Sequence, residues 1–435
     1  MTETSTVPAA GAVPTQSWVT TTFGAEVQDR PDSSTGHSVT DLVVLGLRRN
    51  RRRAHLLVST VLGKHIPVSP RVVRRAADDL GDAVLDTLGP DAAGCAVVVG
   101  FAETATGLGH CVAERIGAQT YLHSTRRRRP GAEVHGTFEE GHSHATTHLL
   151  QPSSPDLLAG SGPLVLVDDE ISTGKTAVEA VAALHRIHPR SHYVIAALVD
   201  MRDETHLAAT ADAAASLGVR IDHVSLAHGR VTLPHSLIDD VCALAAPDLN
   251  PVAGVRGQSR VEQVAWPDDV PDGGRHGYLY SEAAQFHHAV DDVARVARSV
   301  VDTDRPLVVV GHEEFMYLPL CVAERLERDG LDVRYQTTTR SPAHVRDVDG
   351  YPLRRGFEFT APESDPDARR YLYNVGAPDG PPAQVLFVAD SPADTAELRA
   401  PGGLLDVLGA AGHDVTVLVV PETAQSVIAT SRGNR

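Results

Sequence analysis

The chain has 435 residues and a formal net charge of −17 at pH 7. That is long enough for about two or three domains and too acidic for a general nucleic-acid binder, which would show a basic footprint. No apolar run approaches the ~18 residues of a membrane span. The four cysteines (Cys95, Cys111, Cys242, Cys321) stand singly, without paired metal-ligand spacing, so buried reduced thiols and a cytoplasmic setting are expected.

Residues 1–17 (MTETSTVPAAGAVPTQS) lack both a basic start and an apolar stretch. They read as a disordered tail and not as a signal peptide. Beyond them, apolar strand-like runs alternate with helical stretches, which predicts α/β architecture with parallel sheets. Two arginine runs, LRRNRRR (47–53) and RRRR (126–129), go against the overall acidity; such runs read first as solvated faces. VLGKHIPVSP (61–70) is a short stretch dense in special residues, including Lys64 and His65. VVVG then leads into the loop 101–106, at a strand's carboxyl end, where open α/β sheets gather ligands. The segment 124–148 is too polar for core.

LVLVDDEISTGKT (164–176) carries the most specific signal. It ends in GKT, yet a Walker A loop needs glycine five residues before its second glycine. That position is Asp169. Leu164 to Val167 is an apolar run suited to a buried parallel strand. Val178, Val181, Leu184 and Ile187 then recur at helical spacing until Pro189 stops them. The loop Ser172-Thr173-Gly174-Lys175-Thr176 therefore joins a strand end to a helix start, where free amides and the helix dipole favour a phosphate. Asp168 and Asp169 suit a sugar diol, directly or through Mg²⁺. Phosphate plus ribose hydroxyls describes a 5-phosphoribosyl group.

Residues 246–277 turn rich in Pro, Gly, Asp and Arg and are expected to be a linker between 18–245 and 278–435. Four segments of the first part recur in order in the second. VVVGFAETATGLGHCVAERI (97–116) matches VVVGHEEFMYLPLCVAERL (308–326), and YLHSTRRRRP (121–130) matches YQTTTRSPA (335–343). VLVDDEISTGKT matches VLFVADSPADT (385–395), and HYVIAALV (192–199) matches HDVTVLVV (413–420). The pattern predicts two parallel-sheet domains from an internal duplication. The second copy is degenerate: Ala389 and Asp390 replace the acidic pair, no T-G-x-T follows, and Pro392 removes a donor.

The acidic pair followed by T-G-x-T resembles the PRPP-binding motif of type I phosphoribosyltransferases of the orotate-phosphoribosyltransferase-like kind. Past the tail, nearly the whole chain resembles the actinobacterial-type phosphoribosyltransferase fused to a C-terminal TRSP domain, found near tellurium-resistance and stress genes. The resemblance implies Mg²⁺-dependent transfer from PRPP to a base-like nitrogen acceptor, with pyrophosphate release, for a nucleoside-like metabolite. It assigns pyrophosphate to the loop Ala102-Glu103-Thr104-Ala105, where Glu103 departs from the pattern because a carboxylate repels that ligand. It makes 124–148 a lid, with Arg126 and Arg127 on departing pyrophosphate. Glu139, Glu140, His142 and His144 would act on the nucleophile or, on a weaker reading, bind a transition metal. Lys64 and His65 fall in the hood over the base. Glu313, Glu314, Arg340 and Ser341 occupy the corresponding loops of the second copy, as a second substrate site or a cap. A non-catalytic PRPP sensor is the competing class, a protein acting on a phosphoribosylated product the third, and a homodimer is one open arrangement.

Overall fold

The computed structural model describes residues 17–30, 36–129, 131–139, 147–363, 367–376 and 380–434. Among these, the larger sheet has seven strands. Its parallel centre runs in the order Thr120–His123, Val97–Gly100, Leu164–Ile171, His192–Asp200 and Arg220–Thr232. Glu26–Asp29 and Tyr278–Leu279 close the two edges antiparallel. Val97–Gly100 and Leu164–Val167 are wholly buried, as strands covered on both faces must be.

A second, five-stranded sheet is parallel throughout, in the order Val333–Thr337, Leu307–Gly311, Gln384–Asp390, Val415–Val420 and Ser259–Gln263. The first matched strand of each sheet leads into a helix, Ala105–Ile116 in one and Tyr317–Arg328 in the other. These two helices pack on each other: the His110 ring stacks on Tyr317 with centroids 3.5 Å apart. Beside them, Arg74 reaches Glu114 at 2.8 Å and Glu324 at 2.7 Å. One hydrophobic core, including Leu108, Val112, Leu318 and Val322, therefore runs through both units.

Several expectations are revised. The strand from Leu164 does not stop at Val167 but continues through Asp168, Asp169 and Glu170 to Ile171, because its backbone keeps pairing with His192–Asp200. Only the side chains turn polar there. The stretch 246–277 contains the edge strand Ser259–Gln263 and the buried Trp266, Arg275 and His276. Cys111 and Cys321 are buried, whereas Cys95 is exposed in the turn after the short helix Pro90–Gly94 and Cys242 is half-buried. Among the described residues, no helix is long and apolar enough to cross a membrane.

Candidate active site

Ser172 to Thr176 turns between the strand Leu164–Ile171 and the helix Lys175–Ile187. Gly174 makes the turn with φ 76°, a left-handed conformation that disfavours any residue with a Cβ. A Cβ there would also meet Thr210 Cγ2 at 2.9 Å and Arg202 Cδ at 3.1 Å. Arg202 is buried, donates Nη1 to Thr210 Oγ1 at 2.9 Å and pairs with Asp200 at 2.6 Å. The loop thus rests on a fixed charged base that sequence reasoning missed.

A cavity of about 610 Å³ opens at this strand end. Asp168, Asp169, Ser172, Thr173, Gly174 and Thr176 line it, together with Ala102, Glu103, Thr104, Lys64 and Arg126. Lys64 Nζ donates to Thr104 Oγ1 at 2.6 Å, which brings the 61–70 stretch onto the 101–104 loop. Ala102 N donates to Ser124 Oγ at 2.9 Å, and Ser124 in turn meets His148 Nδ1 at 2.8 Å. The second unit contributes Arg340 and Ser341 to the same cavity.

The arginine run 47–53 is not only a solvated face. Arg48, Arg49, Asn50 and Arg53 line the cavity. Arg53 Nη2 lies 2.8 Å from Glu170 Oε1. Burial raises the Glu170 carboxyl above its usual pKa range, and Arg53 opposes that rise. No local signal marked this pair, since 117 positions separate its members.

The other proposed site residues lie elsewhere. Lys175 is exposed and reaches Glu179 at 3.7 Å. Ala105 is buried at the start of its helix, away from the cavity lining. His65 is buried, 1 % exposed, with neither ring nitrogen hydrogen-bonded, and its ring packs beside Tyr373. Glu139 is exposed on a hairpin strand, where Thr147 Oγ1 donates to it at 2.8 Å. Glu140, His142 and His144 lie outside the described residues. The base of the expected lid is a paired hairpin, Gly136–Glu139 with Thr147–Leu150, holding Phe138 and His148 in the core.

The second unit's strand-end loop does not face the cavity with its carboxylates. Glu313 is buried between Arg127, at 2.6 Å, and Arg340, at 2.9 Å, with Arg370 also in contact. Burial alone would raise its pKa, but Arg127 and Arg340 outweigh it and hold the carboxyl well below the usual range. Arg127 is therefore committed to the second unit: it also meets Glu363 at 2.7 Å and Asp390 at 3.8 Å. Arg129 pairs with Asp390 at 2.7 Å. Guanidiniums from the first unit thus fill the second unit's strand end.

The contact between the units is reciprocal. Thr125 Oγ1 donates to Glu314 at 2.6 Å and Arg126 N at 2.7 Å. In return, Thr339 Oγ1 donates to Glu103, and Arg340 N lies 3.3 Å from both Glu103 oxygens. Each unit's Thr-Arg step clamps the glutamate of the other's strand-end loop. Glu103 is thereby held by the second unit's donors.

Family models match both parts of the chain. One described as "Phosphoribosyl transferase" covers residues 42–230, and "TRSP domain C terminus to PRTase_2" covers 272–408. The adenine phosphoribosyltransferase structure from Rhodothermus marinus is 17% identical, with 43% of this chain and 95% of that one covered and a TM-score of 0.31. That from Leishmania tarentolae is 12% identical, covering 47% and 88%, with a TM-score of 0.32. The orotate phosphoribosyltransferase from Aeropyrum pernix is 19% identical, covering 43% and 84%, with a TM-score of 0.25. No curated protein matches the chain. The family matches make the first part of this α/β protein a phosphoribosyl transferase domain. More narrowly, the chain is of the kind in which that domain is followed by a TRSP domain.

Proposed function

We propose that this chain is a Mg²⁺-dependent phosphoribosyltransferase joining PRPP to a base-like nitrogen acceptor. One observation carries the reading: a single cavity brings together the acidic pair, the T-G-x-T loop, the 102–104 loop and Lys64. The loop amides of 172–176 and the start of the helix bind the 5-phosphate. Asp168 and Asp169, both half-buried at the cavity wall, take the ribose hydroxyls, and their hard oxygen donors fit Mg²⁺. When bound, that ion supplies charge neutralisation to the pyrophosphate. Lys64 and Arg126 add positive charge where pyrophosphate leaves. The acceptor nitrogen forms its bond to C1 as the C1–oxygen bond to pyrophosphate breaks, an oxocarbenium-like passage that the site must shield from water.

The TRSP unit is, in this reading, a degenerate copy of the first. Its four matching strands lie in the same order as theirs, and each copy has a hairpin at the same place in the chain. The units are taken as 18–245 and 278–435, with 246–277 between them supplying the edge strand Ser259–Gln263 of the second sheet. The resemblance alone supports a nucleoside-like product in a tellurium-resistance or stress setting, and the four unpaired cysteines suit the cytoplasm.

The test is calorimetric titration of PRPP with Mg²⁺ into wild type and the double variant Asp168→Asn, Asp169→Asn, beside a pyrophosphate-release assay. The variant should fold, because both side chains are only half-buried at the cavity wall and Asn conserves their shape, and should lose turnover. Wild-type release by the variant would overturn the assignment. PRPP binding by wild type without turnover on any heterocycle would make the chain a sensor.

A further inference from the structure

The second unit holds the 102–104 side of the cavity at two places. The first is Glu103. Thr339 Oγ1 and the Arg340 amide both donate to its carboxylate, whereas the Arg340 guanidinium is turned to Glu313 at 2.9 Å. Thr339 is 0 % exposed and the Glu103 side chain 9 % exposed, so little water is at hand to replace a lost donor.

The second place is the stretch that carries Lys64. Thr337 N donates to Gly63 O at 2.8 Å, and Asn374 Nδ2 donates to His65 O at 3.0 Å. Val68 and Tyr335 exchange two backbone hydrogen bonds, at 2.7 and 3.0 Å. Tyr335 and Thr337 belong to Val333–Thr337, the edge strand of the second sheet, so residues 63–68 run along that edge. Gly63 fits there because a Cβ would come within 2.8 Å of Tyr335 O, and its φ of 75° suits glycine. From this mount Lys64 reaches across to Thr104 Oγ1 at 2.6 Å.

The 5-phosphate loop is supported differently. Its turn at Gly174 rests on Arg202 and Thr210 of its own unit. The two ends of PRPP would therefore meet parts of the protein with separate anchors. A carboxylate in a loop that receives pyrophosphate repels it unless donors hold it and offset its charge. The Thr339 hydroxyl and the Arg340 amide do both.

Resting on the function proposed above, we infer that Thr339 is a positioning residue for pyrophosphate. Through Glu103 it keeps the 102–104 loop in the arrangement that binds the leaving group, while the strand Val333–Thr337 carries Lys64 to the same place. The TRSP unit thus builds the pyrophosphate half of the site and leaves the 5-phosphate half to the first unit.

The test separates the halves with two probes, inorganic pyrophosphate and ribose 5-phosphate, each titrated by calorimetry into the full chain with Mg²⁺. Thr339→Val keeps the shape and removes the donor. It should bind pyrophosphate about tenfold or more weakly, the scale of a hydrogen bond to a charged group, with the ribose 5-phosphate Kd unchanged. Thr339→Ser, which restores the hydroxyl, should bind both probes as wild type does. A loss shared equally by the two probes marks general damage and overturns the inference. So does an unchanged pyrophosphate Kd in Thr339→Val, or a loss that persists in Thr339→Ser. Should Thr339→Val not fold, Thr339→Ala is read in the same way. Wild type that binds ribose 5-phosphate but not pyrophosphate overturns this inference alone. Wild type that binds neither ribose 5-phosphate nor PRPP overturns the functional reading and, with it, this one.

Discussion

Glu313→Gln isolates the charge cluster that locks the two units together. The Glu313 side chain is 0 % exposed, and its partners Arg127 and Arg370 are 6 % and 9 % exposed. The amide keeps the shape but removes the one negative charge that, among the described residues, contacts Arg127, Arg340 and Arg370 together. Glu363 and Asp390 remain, so compensation is partial. Removing one partner of a buried pair costs about 3–5 kcal/mol, and each kcal/mol shifts the midpoint by about 2–4 °C in a domain of this size. A fall in Tm of roughly 6–20 °C at pH 7 follows. The pH dependence has a definite sign. The folded pKa is depressed, so the stabilisation is complete above the unfolded value of about 4.3 and is lost as pH falls toward the folded value. The gap between wild type and variant should therefore shrink between about pH 5 and pH 3. Thermal unfolding followed by circular dichroism across that range measures it. A midpoint at pH 7 indistinguishable from wild type, or a gap that does not narrow in acid, would refute the account.

Asp272 is buried, and burial pushes its pKa up to about 7, although Arg275 opposes the shift. A raised carboxyl pKa costs stability as pH rises from the unfolded value of about 3.9 to about 7. Asp272→Asn should therefore melt higher than wild type at pH 8 and equally at pH 3; a lower Tm at pH 8 would show that the charge is needed. Gly174→Ala forces a Cβ into a left-handed turn within 2.9 Å of Thr210, and should weaken PRPP binding by roughly tenfold, about the 1–2 kcal/mol of that strain. Unchanged affinity would mean that the turn does not hold the phosphate. Arg340→Ala should raise the KM for the acceptor while PRPP affinity stays within a few-fold, because Arg340 lines the cavity from the second unit; a selective loss of PRPP affinity would place it on the wrong substrate.

The strand–turn–helix around 172–176 was legible because its determinants are neighbours in the chain. An apolar strand, an acidic pair, a glycine at the turn and a helical repeat all act within 164–187, and backbone preference with periodicity suffices to place them. The same holds for the α/β class and for the strand-helix sequence of both units. Partnerships across the fold were not legible. LRRNRRR reads as a solvated face until Glu170 arrives opposite Arg53 and the run borders a cavity. RRRR reads as a lid until Glu313, 186 positions from Arg127, takes its guanidinium. Glu313 and Glu314 read as ligand groups for the same reason, and they are instead neutralised inside the interface. A charged side chain on a long flexible stem carries no local mark of its partner. Whether it is solvated, paired or presented to a ligand depends on which opposite charge the tertiary structure brings within a few ångströms.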